Sequence, residues 1–207
     1  MSFSHNFAIL SYMKSLSLSR PHMIIMVGVP GSGKSFFAEK FASTFNAPYI
    51  SREKIAMRLG YDIKEADLIA HDLLDELFKT QQSIIVDGLA DTRAARGELA
   101  TKARRAKYDT LLIWVQTDAA TAKGRSTKRG GEGTHRVLSA DEYEQAAKRF
   151  VPPIAIEKPV VISGKHTYAT QAKVVLKKLS EPRATISLHT TAPVRPEQPG
   201  RRNITIR

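Results

Sequence analysis

The most specific chemistry in this chain sits in eight consecutive residues. Gly28-Val29-Pro30-Gly31-Ser32-Gly33-Lys34-Ser35 matches G-x-x-x-x-G-K-[ST] at every fixed position. Such a spacing serves one purpose, which is to wrap a polyphosphate in consecutive backbone N–H groups. Gly28, Gly31 and Gly33 remove Cβ atoms where the backbone must turn and come close. A helix starting at the end of the loop adds its positive end to the anion site. Lys34 then supplies a point charge for the β- and γ-phosphates, and the Ser35 hydroxyl a ligand for Mg²⁺. The expected ligand is ATP with Mg²⁺, bound by residues 28–35.

Three further groups fit the same chemistry. Asp87 ends the apolar stretch Ser83-Ile-Ile-Val, where a carboxylate beside the loop would hold Mg²⁺ together with Ser35. A strand-end turn residue is the plainer reading of Asp87. Asp91 is a second carboxylate there and reads as the cap of the next helix. Arg125 and Arg129 are four residues apart, so on a helix they point the same way. Gly130, Gly131 and Gly133 follow as hinges. Arginines that swing onto a transferring phosphate and exclude water make a lid, with Arg125 also touching the nucleotide. The competing reading is an exposed basic helix end at a glycine stop.

These groups need a scaffold, and the apolar pattern supplies one. Five short runs, at 23–27, 48–50, 83–86, 111–115 and 160–162, read as strands. The first is continuously apolar, as strands covered on both faces are. Helical spacing fills the intervals at 35–45, 65–80, 92–106, 118–128, 139–149 and 167–179. Phe36, Phe37, Phe41 and Phe45 mark the first of these, and Leu68, Leu73, Leu74 and Phe78 the second. Ser139-Ala-Asp-Glu142 reads as a capping box. Alternation of strand and helix predicts a three-layer α/β domain over 21–180, with a parallel five-stranded sheet flanked by helices and a lid helix. Another strand order within the phosphate-loop class is the alternative. Residues 1–20 read as a flexible segment, with Met13 a second candidate start, and 181–207 as a flexible basic Pro/Arg-rich tail.

Composition excludes several classes. The 207 residues contain no cysteine, so disulfide scaffolds, thiolate zinc sites and cysteine nucleophiles are out. No apolar run approaches the ~18 residues that cross a bilayer, and the opening has no signal-peptide core, so a cytoplasmic protein without membrane contact is expected. The six histidines form no ligand-spaced pair, which leaves Mg²⁺ as the expected metal. Net charge is +12, and residues 92–136 hold eleven basic against four acidic side chains. A field of that sign attracts phosphates, so nucleic acid is a candidate partner, although charge runs are usually solvated faces.

Five segments resemble the small phosphate-loop kinases often labelled AAA-family ATP-binding proteins. That group includes the kinase domains of polynucleotide 5′-hydroxyl kinases and is related to zeta-toxin-type kinases. The segments are GVPGSGKS at 28–35, ISREKIAMRLG at 50–60, IIVDGLADTRAAR at 84–96, WVQTDAATAKGRSTKRG at 114–130 and RFVPPIAIEKP at 149–159. The resemblance implies that Lys34, Asp87, Arg125 and Arg129 are catalytic. It also implies a motif S-x-D-x-x-R after the second strand, whose Asp deprotonates the acceptor hydroxyl and whose Arg positions the acceptor. Here Ser51 is followed by Glu53 at the acidic position and Ala56 at the arginine position, with Arg52 and Arg58 nearby. A carboxylate one methylene longer still reaches as a base, so Glu53 is the candidate. Of the family residues that touch the acceptor phosphate after the strand-end Asp, Thr92 and Arg93 or Arg96 survive. The implied function is a kinase that moves the γ-phosphate of ATP to a hydroxyl on a nucleic-acid 5′ end, nucleoside or other small metabolite. A nucleotide-binding switch or accessory ATPase without an acceptor is the alternative.

Overall fold

The five apolar runs form one sheet, and its strand order places the phosphate loop at the centre. A computed structural model describes residue 18, residues 20–128 and residues 136–181. Arg129, the three lid glycines and most of the two terminal segments lie outside the described residues. The strands are β1 (His22–Val27), β2 (Tyr49–Ser51), β3 (Ile84–Asp87), β4 (Asp109–Gln116) and β5 (Val160–Ser163). Their order is β2-β3-β1-β4-β5, and every neighbouring pair is parallel. Met23 to Val27 are buried throughout, because β1 has a neighbour on each side and helices on each face. The pairing of Ser51 with Asp87 brings the end of β2 level with the end of β3.

The described residues form seven helices around the sheet: α1 (Lys34–Phe45), α2 (Arg52–Leu59), α3 (Ile63–Phe78), α4 (Arg93–Arg105), α5 (Ala119–Thr127), α6 (Ala140–Arg149) and α7 (Tyr168–Leu179). One face packs on α1 and α7, the other on α3 and α4. In α1, Phe37, Phe41 and Phe45 repeat every four residues, with ring centroids 5.3 and 4.6 Å apart in successive pairs. Phe36 falls off that face; it is exposed and lies under the Lys40 ammonium. Leu68 and Leu73 are also exposed, because α3 buries the narrower stripe Ala66, Ala70, Leu74 and Phe78. Both helices therefore exist as read, with fewer core residues. The capping box of Ser139 and Glu142 opens α6.

Two readings change at α4. Its cap is Thr92, whose hydroxyl accepts from the Ala95 N–H, and not Asp91, which is drawn to Arg52 instead. Arg96 is not free to meet an acceptor. Its buried guanidinium donates to both Glu157 oxygens at 2.7 and 3.1 Å, and to the carbonyls of Ala90 and Val151. This pair pins the segment after α6 to the start of α4. The Arg96 bond holds the Glu157 carboxyl below its usual value, against the opposing effect of burial. A lowered carboxyl stabilises the fold above the unfolded-state pKa, and that contribution disappears as pH falls through the folded-state value. Glu157→Gln strands a buried cation, so about 3 kcal/mol of stability should be lost at pH 7. Urea unfolding should show the gap from the parent chain closing as pH drops below about 4; an equal gap at pH 7 and pH 3 would contradict it.

Candidate active site

The phosphate loop leaves β1 and turns into α1 through glycines that other residues could not replace. Gly31 has φ +75°, and a Cβ there would lie 2.0 Å from the carbonyl oxygen of Ala122 in α5. Gly33, at φ +101°, precedes α1 without any side-chain cap, so the first N–H groups of the helix point into the loop. The ends of β4 and β5 hold the loop from outside. Thr117 donates its hydroxyl to the Ser32 carbonyl at 2.9 Å. A Cβ on Gly164 would sit 1.9 Å from that same oxygen. Neither Thr117 nor Gly164 was recognisable in the sequence, beyond lying just after strands that flank the loop.

Behind the loop lies a buried polar cluster. Ser35 donates to Asp87 Oδ2 at 2.6 Å, and the Tyr49 phenol donates to the same oxygen at 3.1 Å. Asp87 is 2% exposed, and its Oδ1 has no hydrogen-bond partner; neither has the buried Ser32 hydroxyl. Burial pushes the Asp87 carboxyl up, opposed by the Lys34 ammonium and the Ser35 hydrogen bond. Lys34 is buried too. Burial works to lower its pKa, but Asp87, Glu53 and Asp91 outweigh it and hold the ammonium above the ordinary lysine value. An orphaned carboxylate oxygen beside a serine hydroxyl fits a hard divalent cation, which takes oxygen ligands. Ser35 and Asp87 would hold Mg²⁺ there.

The remaining candidates fall around this cluster. Glu53, in the first turn of α2, lies near enough to act on the charge of both Lys34 and Asp87. Arg52 lies beside Gly88 and binds Asp91 at 3.0 Å and Asp67 at 3.4 Å. Arg58 is exposed in the last turn of α2, and Ala56 contributes no charge. Arg125, in the last turn of α5, donates to the Gly164 carbonyl at 3.0 Å. It lies 3.9 Å from where a Gly33 Cβ would be, hence directly over the loop. The helix ends at Thr127, and the reading that pairs Arg125 with Arg129 falls on a residue outside the described ones. Val29, Trp114, Thr117, Phe150 and Lys165 border a cleft of about 450 Å³ beside the loop.

Residues 23–153 match the family model of an AAA domain. The chain belongs to this AAA domain family. The AAA domain chain is 27% identical over 159 residues to a tRNA dimethylallyltransferase of Acidothermus cellulolyticus, across 67% of this chain and 50% of that one. It therefore spans about half the length of that curated relative. Among solved structures, a gluconokinase from Sinorhizobium meliloti 1021 superimposes with TM-score 0.58 at 18% identity, over 77% of this chain and 91% of that one. Kti12 from Chaetomium thermophilum, in complex with ADP-AlF3, gives TM-score 0.61 at 19% identity, over 75% and 96%. These likenesses show the fold, that of an α/β phosphate-loop NTPase, which agrees with the sheet order. Among the described residues no helix is long and apolar enough to cross a membrane.

Proposed function

We propose that the chain is an ATP-dependent kinase, with residues 21–180 as its catalytic unit, that transfers the γ-phosphoryl group to an acceptor hydroxyl. The observation that carries this reading is the buried Ser35–Asp87 pair behind the loop with Arg125 over it, and Glu53 in the first turn of α2 supports it by acting on the charge of Lys34 and Asp87. A binding module needs the loop alone; a base and a guanidinium over the phosphates are needed only for transfer. Residues 28–35 cradle the phosphates, and Lys34 neutralises the β- and γ-oxygens. Mg²⁺, when bound at Ser35 and Asp87, supplies further charge neutralisation. Glu53 takes the proton from the acceptor hydroxyl as its oxygen bonds to the γ-phosphorus. The bond to the β-phosphate oxygen breaks, ADP leaves, and Arg125, joined by Arg129, meets the charge that develops. Such a kinase works where ATP is plentiful, and a cytoplasmic location belongs to the same reading.

A nucleotide-binding switch is the second reading, favoured by Ala56 at the arginine position and by the sequestration of Arg96 in its ion pair. Transfer by the parent chain separates the two, and Glu53→Gln tests the base. The substitution preserves shape and removes the proton acceptor, so transfer from labelled ATP should fall about 10²-fold or more while ATP affinity persists. Transfer equal to that of the parent chain would exclude Glu53 as the base and move that role to Asp87 or Asp91; no transfer by the parent chain itself would favour the switch.

A further inference from the structure

The two oxygens of Asp87 are treated unequally, and a residue of β2 makes the difference. Ser51 pairs with Asp87 across the sheet, and two residues back along β2 the Tyr49 side chain projects to the same face. Its ring packs against the apolar cluster between the sheet and α1. Its hydroxyl donates to Asp87 Oδ2 at 3.1 Å, and the Ser35 hydroxyl donates to that same oxygen at 2.6 Å. A carboxylate oxygen offers two lone pairs, so Oδ2 is filled. Oδ1, buried with no hydrogen-bond partner, is the one open oxygen.

The phenol that fills Oδ2 is itself held. Lys54 of α2 places its ammonium 5.2 Å from the centre of the Tyr49 ring and 2.9 Å from a Glu39 oxygen. Glu39 stands one turn after Ser35 on α1, on the same side of the helix. The ring is therefore clamped between the core and the Lys54–Glu39 pair, with its hydroxyl directed at Asp87.

We infer that Tyr49 is a positioning residue for the metal: by filling Oδ2 it leaves Asp87 only Oδ1 to offer, which favours Mg²⁺ over Ca²⁺. The inference rests on Ser35 and Asp87 holding the metal that accompanies the nucleotide. Mg²⁺ is small, demands near-octahedral geometry and keeps several waters, so one carboxylate oxygen suits it. Ca²⁺ is larger, takes roughly six to eight oxygens and accepts both oxygens of one carboxylate. Without the phenol, Oδ2 has a lone pair to spare and Asp87 can turn both oxygens to the larger ion. The expected change in relative affinity is on the order of tenfold, the worth of one hydrogen bond to a charged group.

The test loads the full chain with ADP and follows bound Mn²⁺ by electron paramagnetic resonance while Mg²⁺ or Ca²⁺ displaces it, a readout that needs no turnover. The parent chain should prefer Mg²⁺ to Ca²⁺ about tenfold more strongly than ADP alone does. Tyr49→Phe keeps the ring and should reduce that preference about tenfold, with ADP affinity in the absence of metal unchanged. A merely structural loss would weaken both ions alike and leave their ratio where it was. Lys54→Met keeps the phenol and should retain the parent preference. An unchanged ratio in Tyr49→Phe, an equal loss in Lys54→Met, or a parent chain no more selective than ADP alone overturns the inference. Mn²⁺ held no more tightly by the ADP-loaded chain than by ADP overturns it together with the metal assignment, whereas the kinase reading stands or falls on transfer from labelled ATP.

Discussion

Lys34→Ala is expected to lower Mg·ATP affinity about a hundredfold, measured by calorimetry. Removing one charge-assisted contact to phosphate accounts for about 1.5–3 kcal/mol, and a hundredfold corresponds to about 2.7 kcal/mol. The surroundings push towards the upper end. Asp87, Glu53 and Asp91 all act on this ammonium, so its removal leaves their charge facing the triphosphate. Lys34 is 7% exposed and lies outside the two apolar clusters, so the sheet should survive its loss. Some stability will be lost, because the buried Asp87 gives up its nearest compensation. Lys34→Arg restores the charge but not the fit beside the close-packed loop, and should recover little affinity. Unchanged ATP affinity in Lys34→Ala, with unaltered unfolding, would remove the nucleotide assignment itself.

The phosphate loop was legible because its chemistry is a backbone chemistry. Only glycine tolerates the φ values at Gly31 and Gly33, and only a lysine with a serine after it completes the cradle, so the spacing carries the site. The sheet was legible for a related reason. Parallel strands buried on both faces read as unbroken apolar runs, and 23–27 is one. What stayed hidden depends on tertiary contact or lacks periodicity. Helix α2 buries no residue at all, so no apolar stripe marks it; the Ser51 cap and Gly60 at φ +70° define its ends. Arg96 and Glu157 are 61 residues apart, and nothing local distinguishes a guanidinium that anchors a loop from one that meets a phosphate. The same holds for Arg52, whose two carboxylate partners come from α3 and from the turn after β3.

Arg125→Ala should therefore act on turnover, with a loss of about 10²-fold or more in kcat and little change in ATP affinity. Its guanidinium already spans the Gly164 carbonyl and the space above Gly33, so it needs little movement to meet charge building on the γ-phosphoryl. One N–H is committed to Gly164 at 3.0 Å, and the planar fork leaves others free to point at phosphate. A lysine has a single ammonium, which reaches either the carbonyl or the phosphate. Arg125→Lys is thus expected to keep the strut to the β5 end and still lose most of the rate. That outcome separates a group that meets the reacting phosphate from a surface strut, because a strut would be rescued by lysine. Arg129→Ala and the double variant complete the comparison. If the two arginines share one task, the double variant should be little worse than the more damaging single one. Near-parent turnover in all three would leave the basic end of α5 a plain surface and put the chemistry of transfer on Glu53.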